Sequence, residues 1–445
     1  MNAAEHNKQG AFLICKTLSA HGYRALFAGG CVRDFLLHIP PADIDIATSA
    51  SPAEVVSLFS RTVTVGAKFG VVMVLLPQGA FEVATFRRDG PYLDGRHPSE
   101  VCFTGEREDA QRRDFTINAL FFDPETEQVI DYVDGRDDLR SGIIRAVGTP
   151  RQRFQEDALR LLRAVRFAAR FNFQIEAATW QAICAEAVRI HQVSVERIRE
   201  ELLKMLTEGR ARLAFELLNQ SGLLARVLPE IDAMKGVEQP AGFHPEGDVF
   251  QHTLLCLEHL PEGASPSLAF AVLLHDAGKP GTQTFEDRIR FNWHEKAGAR
   301  IAEEVCRRLR MPSRDVERIA WLVENHMRLK DFSRMREHRR RRLVRMPGFE
   351  ELLALCRIDA LASHKDLSLV IAAENYLHEH DGADLQPAPL LKGHDLIEMG
   401  YAPGPRFRKI LHAIESLQLE GTLRDKSEAE AYVRTHFPCE DTPPD

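Results

Sequence analysis

Hydrophobic positions in the first third of the chain come in short runs, RALFAGG (24–30), DIDIAT (43–48), GVVMVLL (70–76) and FEVATF (81–86), with helical stretches between them and Gly and Pro at the joints. This pattern predicts an α/β or α+β region over residues 1–150. From residue 154 onward the pattern changes to long helical periods with few β-branched runs, so the rest of the chain is predicted to be mostly α. That joint falls near Gly148 to Arg153. A second break is expected at the Gly- and Pro-rich GVEQPAGFHPEGD (236–248), before a helical segment from Val249, and a third around HDGADLQPAPLLKG (380–393). The predicted segments are therefore 1–150, 151–240, 241–385 and a helical tail, 386–445, with no internal repeat or low-complexity tract.

One helical stretch, Glu156 through Arg166, is two-faced. At about 100° per residue, Arg160, Arg163, Arg166 and Arg170 share one sector, while Leu161, Leu162, Val165, Ala168 and Ala169 fall on the opposite one. The second sector is core. The first is either solvated surface or a binding face.

Composition narrows the class. With 445 residues, two to four domains are expected, and 44% hydrophobic with 27% charged residues is ordinary globular material. No long apolar run suits a membrane span, and the first residues lack the basic, apolar and small-residue succession of a secretory signal, so a cytoplasmic protein is expected. Eight widely spaced cysteines without a C-x-x-C pair argue against a zinc ribbon or a disulfide framework and are read as reduced core thiols. The net charge of −8 has the wrong sign for coating nucleic acid, so RNA contact would need a local basic surface.

Two sequence features carry chemistry in the first segment. Gly29-Gly30 follows an apolar strand and opens a helix-like stretch containing Arg33, an arrangement that lets backbone N–H groups approach a phosphate. Asp43-Ile44-Asp45 reads as part of a strand, where side chains two apart share a face, so both carboxylates can reach one pair of magnesium ions. Such a site activates a 3′ hydroxyl and stabilises a pyrophosphate leaving group.

The motifs GGCVRDFLL, DIDIAT, RRDFTINAL (112–120), EDALRLLRAVRF (156–167) and SVERIREELLKML (194–206), in this order and across about half the chain, resemble those of the bacterial class II tRNA nucleotidyltransferase and poly(A) polymerase family. The resemblance implies a polymerase beta-like nucleotidyltransferase head, a mixed sheet with helices, followed by an all-α body. It implies that Gly30 and Arg33 hold the triphosphate, that Asp43 and Asp45 bind Mg2+ and are catalytic, and that Arg113 contacts the nucleotide. It also implies that Asp157 and Arg160 copy a Watson–Crick partner. The carboxylate would accept from the exocyclic amine of cytosine or adenine, and the guanidinium would donate to neighbouring ring acceptors. Arg163 and Arg166, on the same sector, are assigned to the same nucleotide site. The polar stretch 84–103 matches the flexible segment of family members that add the terminal adenosine.

Further on, His252, His275-Asp276, His294, His326 and Asp359 follow the order of the HD superfamily of metal-dependent phosphohydrolases. The resemblance implies four core ligands, His252, His275, Asp276 and Asp359, with His294 and His326 completing a second metal position. Imidazole and carboxylate donors suit Mn2+, Ni2+ or Fe2+ as well as magnesium. The domain is either a hydrolase, for phosphomonoesters or 2′,3′-cyclic phosphates at RNA ends, or a structural brace for tRNA. Lys279 is a candidate phosphate contact.

The densest basic run, Arg334 to Arg345, is either an RNA-binding surface or a solvated helix face, and the GPRF turn with its amphipathic helix in the tail has a tRNA-facing or a packing role. The leading expectation is a template-independent enzyme that builds or repairs the CCA of the tRNA 3′ end from CTP and ATP. The rivals are an A-adding enzyme, a poly(A) polymerase, and an HD phosphohydrolase whose first half is a nucleotide-binding module.

Overall fold

The short apolar runs of the first third become strands of one seven-stranded sheet. In chain order the strands are β1 (Ala25–Ala28), β2 (Ile46–Thr48), β3 (Thr62–Val63), β4 (Val71–Leu76), β5 (Gly79–Thr85), a separate hairpin of β6 (Arg87–Asp89) and β7 (Val101–Phe103), then β8 (Phe121–Asp123) and β9 (Gln128–Ile130). The large sheet has the order β3-β4-β5-β2-β1-β8-β9. Its neighbours are antiparallel except β2 and β5, which run parallel with Ile46 beside Val83. Leu26, Ala28, Ala47, Phe86 and Phe121 form a core, in which Phe86 meets Phe121 edge-on. The helix Ala3–Ala20 turns Ala11, Ile14, Cys15 and Leu18 inward against the strands.

The computed structural model describes residues 3–64, 69–90, 100–240, 247–285, 288–380, 385 and 387–438. They divide into two units, one made of Met1–Lys235 with Leu260–Ser265 and Val305–Met311, the other of Gly236–His259, Pro266–Glu304 and Pro312–Asp445. Residues on both sides of the expected joint near 150 lie in the first unit, and the units part at Lys235 and Gly236.

In the first unit the helix Leu159–Phe171, its apolar sector buried, packs against the helices Val195–Thr207 and Ala211–Gln220. Asn172, at φ 56°, ends it in the left-handed conformation that asparagine tolerates. The single helix expected from Glu156 onward is in fact two. The helix Pro150–Glu156 stops at Asp157, whose extended backbone (φ −146°, ψ 105°) frees its carboxylate to accept the Leu159 N–H at 3.0 Å. The side chain competes with the helix for backbone donors, the usual reason aspartate sits at helix starts.

The second unit is helical. Asp248 caps the helix Val249–Glu258 by accepting the Gln251 N–H at 2.8 Å. The helix Pro266–Leu274 is apolar and buried all round. Ser313–Asn325 and Phe349–Ala362 pack against it. In the tail, Leu396, Tyr401, Ile410, Ile414 and Val433 close a core among three short helices, so the amphipathic helix Pro405–Leu419 has a packing role. Among the described residues no helix is long and apolar enough to cross a membrane.

Candidate functional site

Strand β1 delivers the chain to a turn that only glycine fits. Gly29 has φ +76°, its N–H donates to the Leu120 carbonyl at 3.0 Å, and a Cβ there would stand 2.7 Å from Arg113 Nη1. The helix Gly30–Leu36 follows. Arg33 points inward from it, donating to Asn118 Oδ1 at 2.5 Å and to Asp34 Oδ1 at 2.8 Å, its guanidinium lying over the rings of Phe167 and Phe171.

Asp43 and Asp45 were expected within a strand; they lie in the extended lead-in, and β2 starts at Ile46. Strand β1 ends at Ala28, whose N–H reaches the Asp45 carbonyl at 2.9 Å, and beyond it the backbone turns away at Gly29, leaving nothing to pair. Both carboxylates are exposed, with Ile44 and Ile46 buried between and after them. Asp45 is desolvated on one side, and that, with the Glu82 and Asp43 carboxylates, pushes it up to about 6 against the opposing charge of Arg113. Glu82, whose charge acts on Asp45, is a candidate site residue that the sequence reading missed. It stands on the exposed face of β5 beside Val83, the partner of Ile46.

Arginines and acids interlock behind these residues. Asp109, buried, holds Arg113 through Nε and Nη2 at 3.2 and 3.0 Å and Arg112 at 2.8 Å. Asp114 accepts from Arg163 at 2.8 Å; burial works to raise its pKa, but Arg163 and Arg160 override it and hold the carboxyl at about 2. The arginines of Leu159–Phe171 are paired with acids rather than free in solvent, Arg163 and Arg170 keeping partial exposure. Arg160 donates to Glu156 at 2.8 Å, Arg166 to Glu201 at 2.7 Å and Glu208 at 3.2 Å, and both arginines are buried. Asp157 and Arg160 do not pair with each other; Asp157 is gripped at two points by Arg197, which the sequence reading did not single out.

These side chains surround a cleft of about 460 Å³. Its walls carry Gly29, Gly30, Asp45, Asp114, Asp157 and eight arginines, among them Arg33, Arg113, Arg160, Arg163 and Arg166. Such an excess of guanidinium suits a polyanion.

In the second unit, six predicted ligands converge from the helix Val249–Glu258 (His252), the end of Pro266–Leu274 (His275, Asp276), the start of His294–Arg308 (His294), the end of Ser313–Asn325 (His326) and Phe349–Ala362 (Asp359). Nδ1 of His275, His294 and His326 each faces a backbone carbonyl, at 2.8, 2.9 and 2.6 Å, which turns each Nε2 inward. Two donor groups result, His252, Cys256, His275 and Asp359 in one and Asp276, His294 and His326 in the other. Asp276 reaches both, its Oδ2 at 3.3 Å from His275 and 3.8 Å from His252, its Oδ1 at 3.6 Å from His294 and 4.0 Å from His326. Burial works to raise the Asp276 carboxyl, yet His275 and Lys279 hold it well below the usual range. Burial pushes His326 down to about 3, so it is a neutral donor. A cavity of about 770 Å³ opens onto Asp276, His294, His326 and Asp359, with Lys279, Arg290 and Lys330 on its walls.

The basic run is met by acids within its own unit. Arg341 donates to Glu337 at 3.0 Å, Arg342 to Glu415 at 2.6 Å, Arg345 to Glu415, and His338 contacts Glu420 at 2.6 Å. Of the stretch 84–103, β6 and β7 pair its ends, and residues 91–99 lie outside the described residues.

Residues 25–145 match the family of the poly A polymerase head domain, 172–235 that described as "Probable RNA and SrmB- binding site of polymerase A", and 249–363 the HD domain. Over 199 residues the chain is 50% identical to the CCA-adding enzyme of Lactiplantibacillus plantarum (44% of this chain, 49% of that one). Over 194 residues it is 48% identical to that of Enterococcus faecalis (43% and 48%). The alignments span about half the length of these relatives. Along 98% of both chains it superposes, at a TM-score of 0.73 and 28% identity, on the crystal structure of the Bacillus stearothermophilus CCA-adding enzyme in complex with CTP.

Fold and site together define an α+β protein with a polymerase beta-like nucleotidyltransferase head and a helical body that includes an HD-type domain. The chain carries in order the poly A polymerase head domain, the probable RNA-binding region of polymerase A and the HD domain, and over about half of their length it is similar to bacterial CCA-adding enzymes.

Proposed function

We propose that this protein adds or repairs the CCA of the tRNA 3′ end from CTP and ATP, without a nucleic-acid template. The observation that carries this reading is the cleft itself, in which arginines outnumber acids eight to three, with Asp45 on one wall and Asp157 among the guanidiniums. Gly30 and Arg33 hold the triphosphate, and Arg113, kept in place by Asp109, contacts the nucleotide. Arg163 and Arg166 complete the basic wall. Asp43 and Asp45 are the catalytic pair and, with Glu82, would hold magnesium, a fit supported by hard carboxylate oxygens and by the partial burial and neighbouring carboxylates that raise Asp45. Magnesium there would activate the 3′ hydroxyl and stabilise the departing pyrophosphate.

Base choice falls to Asp157 and Arg160. Asp157 Oδ1 is occupied by the Leu159 N–H and by Arg197, whereas among the described residues Oδ2 accepts only from Arg197, at 2.7 Å, and keeps a lone pair for an exocyclic amine. Uracil and guanine would bring a carbonyl oxygen there.

In the HD domain, the buried imidazoles and carboxylates form a donor set suited to divalent transition metals such as Mn2+, Ni2+ or Fe2+. His252, His275, Asp276 and Asp359 would hold one ion, His294 and His326 with Asp276 a second. The cavity beside them, with Lys279, Arg290 and Lys330 on its walls, would take a phosphomonoester or 2′,3′-cyclic phosphate at an RNA end. On this reading residues 1–150 are the head, 151–240 recognise nucleotide and RNA, 241–385 are the HD domain, 386–445 are the tail, and the protein works in the cytoplasm.

The test supplies magnesium, labelled CTP or ATP, and tRNA transcripts ending before CCA, after C and after CC, with an Asp43→Ala, Asp45→Ala control. Completion of all three, with a dead control, is expected. Extension of the CC transcript alone would make this an A-adding enzyme, and long adenosine tails on any RNA would make it a poly(A) polymerase.

A further inference from the structure

Cys256 stands one helical turn after His252, on the same face of Val249–Glu258, and it is fully buried. A buried cysteine normally acts as a small hydrophobe among apolar neighbours. This one directs its sulfur at a ring nitrogen instead, with Sγ 3.5 Å from His252 Nε2. The same Nε2 is 3.4 Å from His275 Nε2 and 3.1 Å from Asp359 Oδ1. The four donor atoms all lie within 4.8 Å of one another. A tetrahedral ion with bonds of about 2.0–2.1 Å to nitrogen or oxygen and about 2.3 Å to sulfur has ligand-to-ligand edges of about 3.4 and 3.6 Å. The spacings across His252 approach those edges, the sulfur included.

We propose that Cys256 is a thiolate ligand of the first HD metal, which makes that position a sulfur-containing site for zinc, cobalt or ferrous iron and a poor one for magnesium. The inference rests on the HD domain holding a metal, and it puts Cys256 in the place given above to Asp276 at the first ion, leaving Asp276 to the second. As the ion enters, the thiol gives its proton to solvent and the sulfur lone pair forms the metal bond. Thiolate softness then separates this position from the one at Asp276, His294 and His326, where the donors are a carboxylate and two imidazoles.

The experiment uses the full chain, stripped with a chelator and titrated with Co(II). Bound cobalt is expected to bring a near-ultraviolet thiolate-to-cobalt charge-transfer band. Cys256→Ser and Cys256→Ala are expected to lose the band and to bind Co(II) about tenfold or more weakly. Cys356→Ser, which removes a buried thiol bonded to the His326 carbonyl at 3.1 Å, should keep the band. Zinc-loaded wild type, which needs no variant, should show a sulfur neighbour at about 2.3 Å by X-ray absorption. Co(II) bound without the band, a band that survives in the Cys256 variants, or no sulfur neighbour overturns the thiolate ligand and leaves the HD metal reading standing. Failure to bind Co(II) at all overturns both.

Discussion

Arg197 holds Asp157 at two points, Nη1 to Oδ1 at 3.1 Å and Nη2 to Oδ2 at 2.7 Å, across 40 positions of sequence. The grip fixes the plane of a carboxylate that stands where the helix is interrupted. A carboxylate that reads a base must be rigid, because a rotated one would accept from many directions.

Asp157→Asn replaces one acceptor oxygen with an N–H donor that suits the carbonyl of uracil. Preference for CTP over UTP is expected to fall about ten- to hundredfold. Arg197→Met, which loosens the carboxylate without changing its chemistry, should lower kcat/KM for CTP and ATP together. Single-nucleotide incorporation measures both.

Glu82→Gln removes a charge beside Asp45 without changing shape. Incorporation at low magnesium should drop about ten- to hundredfold and recover in part as magnesium is raised. If Glu82 were only a surface residue, the magnesium dependence would match wild type.

Asp114 sets an acid limit. Its folded-state pKa, about 2 against an ordinary 3.8, is depressed, so its contribution is present in full above about pH 4 and is lost as pH falls toward 2. Asp114→Asn should be less stable at neutral pH by about 2 kcal/mol. In urea titrations the gap from wild type should close between pH 4 and pH 2.

Arg342→Ala with Arg345→Ala tests the basic run. Both arginines meet Glu415, in partly exposed pairs, so stability should fall by about 1 kcal/mol. Binding to tRNA, followed by filter retention, should stay within about twofold if these pairs hold the arginines away from RNA; a large loss would restore the run as an RNA contact.

Local patterns were legible where the cause was local. The run RALFAGG announced β1 and the Gly29 turn, and the apolar sector from Leu161 to Ala169 announced a core helix. What escaped depends on partners distant in sequence. Alternation in FEVATF puts Glu82 on the face opposite Phe81 and Val83, but only the parallel pairing of β5 with β2 brings it to Asp45. Arg197 lay within a motif quoted for its family likeness, without a sign of its partner. Two local cues were present and unread. Aspartate before Ala-Leu is a helix-start signal that could have located the break at Asp157, and the His-x-x-x-Cys spacing could have drawn attention to Cys256.

Strand β5 returns from β4 through just Pro77 and Gln78, with Leu76 opposite Gly79. The register of β5, and so the side on which Glu82 emerges, is inherited from that two-residue turn. A slip by one position would turn Glu82 inward and drive Phe81 and Val83, each 1% exposed, into water, at about 1.5–3 kcal/mol per side chain. The apolar alternation therefore proofreads the chemistry. A misthreaded strand is rejected by the core before it can present a carboxylate-poor site, and an inserted residue is tolerated only if the turn itself swells to absorb it.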